Sequence, residues 1–178
     1  MRTRGQCQLA SAPYRKSWSV LCYTFHIKSE RLLVIKVNIQ MEIQAPIEMV
    51  FDLLADHTKH PLWDPNMIEA RFSTEGPIVN GSKGITIGTF RGKRVESDIY
   101  YDAYDRPKWV SGGATSGMVK GKQTCEFITT EKGTKINWAF EAQFQGFMRL
   151  MEPFMKSTLI KQRQETLEAL KTYIIKNR

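Results

Sequence analysis

The chain has 178 residues, is 42% hydrophobic and 11% aromatic, and carries a formal net charge of +8. That length favours one domain with one sizeable core, and that composition excludes a disordered chain. The charge is no nucleic-acid footprint: residues 1–33 hold six Lys/Arg against one acid, Glu30, while residues 34–178 hold 20 Lys/Arg against 17 Asp/Glu. The cluster Lys83, Arg91, Lys93 and Arg94 is what a solvated hairpin tip requires, so no nucleic-acid partner is expected.

Residues 1–33 lack a sustained period of 2 or 3.6 and contain no acid before Glu30. They read as an appended basic segment outside the domain: a transit peptide, a basic tail, or translated sequence ahead of a protein starting near Val34. The domain is expected over 34–178. No apolar run approaches the ~20 residues of a membrane span. Cys7, Cys22 and Cys125 are odd in number and match no zinc or redox spacing, which points to free thiols in a reducing compartment. A cytoplasmic location follows, or an organellar one if residues 1–33 are a transit peptide.

From Ile35 the pattern sharpens. IKVNIQMEIQ alternates strictly, with Ile35, Val37, Ile39, Met41 and Ile43 on one face, as a half-buried strand does. Ala45-Pro46 ends it, and IEMVFDLLAD then sets Ile47, Val50, Phe51 and Leu54 on one helical stripe. Beyond Trp63-Asp64-Pro65 come strand-like runs joined by short turns: MIEARFS, ITIGTF, RVESDIYYDAY, KWVSG, QTCEFITT and TKINWAFEAQF. Arg91-Gly92-Lys93 and Glu131-Lys132-Gly133 are tight connections, the second needing a positive φ at Gly133. Hairpin after hairpin means an antiparallel meander rather than βαβ units. From about Phe147 to Lys176 the period becomes helical, with Met151, Phe154, Met155, Ile160, Leu167, Leu170 and Ile174 as its apolar stripe. Pro153 is expected to kink this helix or mark its first turn.

Residue chemistry offers few catalytic leads. His57 and His60 stand near Asp52, Asp56 and Asp64, but a metal site needs three or four converging ligands, and no HExxH or CxxC is present. The pair is read as part of a polar surface turn; neither metal nor cofactor is expected. Glu96, Asp98 and Asp102 have the parity opposite to Val95, Ile99 and Ala103, and Glu141 opposes the Trp138/Phe140 face, so these acids should face solvent. Tyr100 and Tyr104 share the acids' parity. Tyr101 has the inward one. Cys125 is expected inward as a small hydrophobe. No GxSxG occurs, and SGGATSG (111–117) is expected to let a strand bend.

The order strand, two short helices, meander, long C-terminal helix resembles the helix-grip, START-related (SRPBCC) superfamily, and within it the polyketide cyclase/dehydrase-like and lipid-transport-like members. The resemblance rests on IQAPIEMVFDLLADHTKHPLWDP after the first strand, on WAFEAQFQG, and on FMRLMEPFMKSTLIKQRQETLEALKTYI, and it covers residues 35–176. It implies an α+β fold: a curved antiparallel sheet of about six to seven strands around the C-terminal helix, with two short helices closing the sheet's open end. It also implies a cavity between sheet and helix for a small apolar ligand such as a lipid or polyketide. On that basis Trp63, Phe72, Phe90, Tyr101, Trp109, Met118, Phe127, Trp138, Phe140, Phe144, Met151 and Met155 are candidate cavity-lining residues, against the alternative that they are plain core. A cyclase/dehydrase-type enzyme is the first rival to a binder, with Tyr101 or a polar residue near Arg149 as acid–base group. A protein-interaction module of the same fold is the second.

Overall fold

A computed structural model of the chain describes residues 34–73, 75–117, 119–146, 150 and 152–177. The reading of residues 1–33 therefore falls outside the described residues. The elements are β1 (Val34–Ile43), α1 (Ile47–Ala55), a 3-10 helix (His57–Leu62), β2 (Met67–Phe72), β3 (Lys83–Phe90), β4 (Lys93–Asp105), β5 (Trp109–Ser116), β6 (Val119–Thr130), β7 (Gly133–Phe144) and α2 (Glu152–Lys176). The strands form one seven-stranded antiparallel sheet in the order β1-β7-β6-β5-β4-β3-β2. The expected helix-grip α+β arrangement is the one observed.

Local chemistry fixes the connections. Arg91 and Gly92 both take positive φ, 52° and 76°, between the paired residues Phe90 and Lys93. A two-residue turn of that hand matches the right-handed strand twist. Gly133 opens β7 with φ 139°, and a Cβ there would run into the Ile43 carbonyl and the Gln44 backbone. α2 begins at Glu152, so Pro153 lies in its first turn, where a missing N–H costs little.

One half of the concave sheet face is filled. Ile35, Val37, Ile39 and Ile43 of β1 pair with Ala142, Phe140, Trp138 and Thr134 of β7, all buried, and Ile136 and Phe144 join the same core. Val50, Phe51 and Leu54 close this half from α1, and Leu167, Leu170 and Ile174 from α2. Phe51 is fully buried, edge-on to Phe127 at 5.0 Å and to Tyr104 at 5.2 Å. Tyr104 corrects the parity reading. β4 and β5 slip register between Tyr101 and Ala103, leaving Asp102 as an extra residue. Such a bulge reverses which side chains face inward beyond it, so Tyr101 and Tyr104 both face the core. Phe154 is a second correction: it is 71% exposed, because Met155 and Leu159 set the phase of the buried stripe.

Candidate functional site

The last carbonyls of an α-helix have no partner within the helix. In α1 three of them are served by side chains. The Trp63 indole N–H donates to Leu53 O at 3.1 Å. His60 Nε2 lies 2.9 Å from Leu54 O, and the Tyr101 hydroxyl donates to Ala55 O at 2.8 Å. The 3-10 helix exists to carry these groups back under α1; Asp56 caps it by accepting from Thr58 N at 3.0 Å. The surface-turn reading of the histidines is thus overturned. His60 is 6% exposed because a buried carbonyl needs its proton, and His57 is half-buried.

These bonds assign the tautomers. A carbonyl only accepts, so the proton on His60 sits on Nε2, and the Tyr101 proton is committed to Ala55 O. His57 Nδ1, 2.5 Å from Tyr101 Oη, must then donate to it. This leaves His57 Nε2 as an unprotonated acceptor. Burial, then the charges of His60 and Arg163, hold the His57 pKa well below 6.5; burial lowers that of His60 too. Burial pushes the Tyr101 phenol up, Tyr104 to about 12. Among the described residues no three His, Cys, Asp or Glu side chains converge as metal ligands would.

His57, His60 and Tyr101 line a cavity of about 210 Å³ between the sheet and α2. Much of its sheet wall is made of small side chains, among them Thr86 and Gly88 of β3, Ser97 of β4, Gly112 and Ala114 of β5, and Gly121 of β6, set among larger ones such as Val95, Ile99 and Val110. Strands that pass close without bulk leave room that aliphatic side chains would have filled. Gly112 and Gly113 could not carry a Cβ without striking neighbouring atoms, Tyr100 O in one case and Gly121 O in the other. Residues 111–116 of the SGGATSG motif lie within β5, with the β4 bulge opposite Ser111 and Gly112, and Gly112 and Gly113 serve close strand approach.

Of the twelve candidate lining residues, the cavity brings together Phe90, Tyr101, Trp138 and Phe140. The others take different places. Trp63 is committed beneath α1 by its bond to Leu53. Trp109, at the start of β5, is 38% exposed. Phe72 is half-buried beside the Tyr101 ring, 5.8 Å centre to centre. Phe127 packs on Phe51; Phe144 and Met155 are buried in the core cluster rather than in the cavity wall. Met118 and Met151 lie outside the described residues, as does the neighbourhood of Arg149.

The main residue missed is Arg163. It stands on α2 four residues from Leu159 and four from Leu167, both buried; Arg163 itself is half-buried and lines the cavity. Its guanidinium lies over Phe140 at 4.3 Å and Trp138 at 5.0 Å from the ring centres. Burial lowers its pKa from the ordinary arginine value. The signal was available: phasing the helix on Met155 and Leu167 puts a cation in the apolar stripe. Cys125 of β6 lies in the same wall, its thiol pushed up by burial and hence un-ionised.

No helix among the described residues is long and apolar enough to cross a membrane. A search of curated proteins finds no match. The fold is shared with a START superfamily protein from Mycobacterium smegmatis (TM-score 0.68, 11% identity, 80% of this chain and 99% of that one). Ara h 8.0201 is similar as well (TM-score 0.65, 18% identity, 80% and 99%). So is the di-domain ARO/CYC StfQ from the steffimycin biosynthetic pathway (TM-score 0.64, 12% identity), which matches 83% of this chain over 52% of its own length. The sequence profile described as polyketide cyclase / dehydrase and lipid transport matches residues 34–174, and the chain belongs to that family.

Proposed function

We propose that residues 34–178 bind a small, largely apolar molecule in the cavity between the sheet and α2. The observation that carries this reading is the wall of Gly, Ala, Ser and Thr facing Trp138, Phe140 and Phe90. Small residues hold a space open, and aromatic ones give it an apolar surface, as ligand pockets require. The volume lies below the roughly 300–1,000 Å³ of pockets for drug-sized ligands, so the occupant is a ring-sized or short-chain molecule. Phe90, Tyr101, Trp138 and Phe140 are its proposed contacts. A buried thiol such as Cys125 fits a reducing, cytoplasmic setting. Titration with an apolar fluorescent probe tests the proposal: affinity near micromolar is expected, with competition by the natural ligand class. A chain that ignores every such probe refutes it.

One observation favours a second reading, an enzyme of cyclase/dehydrase type. His57 Nε2 is an unprotonated imidazole nitrogen in the cavity wall, and Tyr101 fixes the orientation of its ring. A neutral, oriented histidine beside a pocket is suited to accept a proton from a bound molecule. In this reading His57 is the base and Tyr101 positions it. Under it, His57→Gln abolishes turnover of a bound substrate while leaving its binding intact.

A further inference from the structure

We infer that the molecule in this cavity carries a carboxylate, and that the Arg163 guanidinium is the group that recognises it. The inference rests on the ligand-binding reading above and names the class of ligand. It begins from an electrostatic imbalance. Among the described residues, no hydrogen bond and no ion pair engages the Arg163 side chain, and its Nε is buried without a partner. Arginine keeps its proton at any ordinary pH, so the charge cannot be shed. Arg163 is half-buried, and a partly dehydrated cation with an enclosed, unpartnered donor is costly unless something repays its lost hydration. The faces of Phe140 and Trp138 repay part of it. They leave its buried Nε–H without an acceptor.

The charge of Asp64 acts on Arg163 from a distance, but no described neighbour pairs with it. Asp64 lines the same cavity, but it stands beyond ion-pair distance of Arg163, and its Oδ1 accepts from Asn66 N at 2.9 Å. His57 and His60 contribute neutral imidazoles, and Cys125 a neutral thiol. Gln123, Gln162 and Thr166 are uncharged. A second orphan lies in the same wall: the Trp138 indole N–H is buried with no acceptor. Two donors without acceptors, one of them a fixed cation, call for a ligand that brings acceptor oxygens and a negative charge. A carboxylate fits the planar fork with two parallel bonds. Its apolar remainder would occupy the space beside Phe90 and the glycines of β5.

The test is isothermal titration of the full chain with two matched pairs, 2-naphthoate against 2-naphthamide and octanoate against octanamide. In at least one pair the acid should bind about tenfold or more tightly than its amide, the scale of a charge-assisted bond. Arg163→Met should erase that preference by weakening the acid alone; thermal melting of the variant confirms that it is folded. The pair that responds tells whether the apolar part is ring or chain. Acid and amide binding equally to the wild type would overturn the inference and leave the ligand-binding reading standing. A preference that survives in Arg163→Met would overturn Arg163 as the recognising group. Failure of all four compounds to bind would remove the ligand-binding reading together with the inference.

Discussion

The two halves of the concave sheet face are built from the same backbone and filled to different levels. Over β1 and β7, Ile and Phe side chains meet α1 and the C-terminal part of α2 and leave a close-packed core. Over β3 to β6 small residues such as Thr86, Gly88, Ser97, Gly112, Ala114 and Gly121 interrupt the larger inward ones, and a cavity remains, with Trp138 and Phe140 of β7 also in its wall. Side-chain volume decides which half is core and which is pocket, since one hydrogen-bonded sheet runs through both. Polarity divides in the same way. The half-buried charge of Arg163 and the oriented His57 line the open half, where a ligand can pair with them.

The largest effect should come from emptying the filled half. Phe51→Ala removes the ring against which Phe127 and Tyr104 pack, and should cost about 3–5 kcal/mol in urea unfolding. A loss under about 1 kcal/mol would mean that this half is loosely packed and the contrast false.

The next pair adds volume to each half. Met155→Trp enlarges a side chain that is already enclosed and should cost ~1–3 kcal/mol. Ala114→Leu adds atoms beside empty space, so its cost should stay under about 1 kcal/mol while probe binding is lost. If both variants lose stability equally, the open half is as full as the other.

Protonation sharpens the contrast at the rim between them. His57 and His60 have folded pKa values below the ordinary 6.5, so the unfolded chain takes up protons that the native one refuses. Their contribution is complete above about pH 6.5. It is lost as pH falls toward the folded values, at about 1.4 kcal/mol per pH unit for each histidine. Unfolding measured at pH 7.5 and 5.5 should show this loss, and His57→Gln should reduce it; an unchanged slope would mean that His57 ionises freely in the fold.

The smallest effect belongs to the surface. Asp52 of α1 accepts two bonds from Arg106 in the β4–β5 turn, Nε to Oδ1 at 2.7 Å and Nη2 to Oδ2 at 2.9 Å. That pairing holds the Asp52 carboxyl below its usual value. Because the pair is solvated, Asp52→Asn should lower Tm only slightly, and the difference should vanish in high salt.

How far the chain could be read from its residues follows from the same physics. β1 was legible because one face is buried and the other wet along its whole length. Gly133 was legible because its turn needs a backbone that only glycine adopts easily. Tyr104 was misplaced because a bulge reverses parity without any sign in residue type. The histidines were misplaced because their partners are helix carbonyls, which sequence does not display. In the site, four of the aromatic residues could be named from parity and family likeness. The glycines, serines and threonines that open the cavity could not, since absence of bulk leaves no periodic signature. Arg163 was hidden by a stripe phased on Phe154 and Ile160 instead of on Leu159.

The most direct test maps the binding position itself. Proton–nitrogen correlation spectra of the full chain are recorded during titration with an apolar ring compound. The largest shifts should fall on the Trp138 indole N–H and the amides of Gly112, Gly113 and Gly121, with those of Ile35, Val37 and Ile174 unmoved. Shifts confined to the outer sheet face, or no shifts at saturating compound, would contradict a ligand site between the sheet and α2.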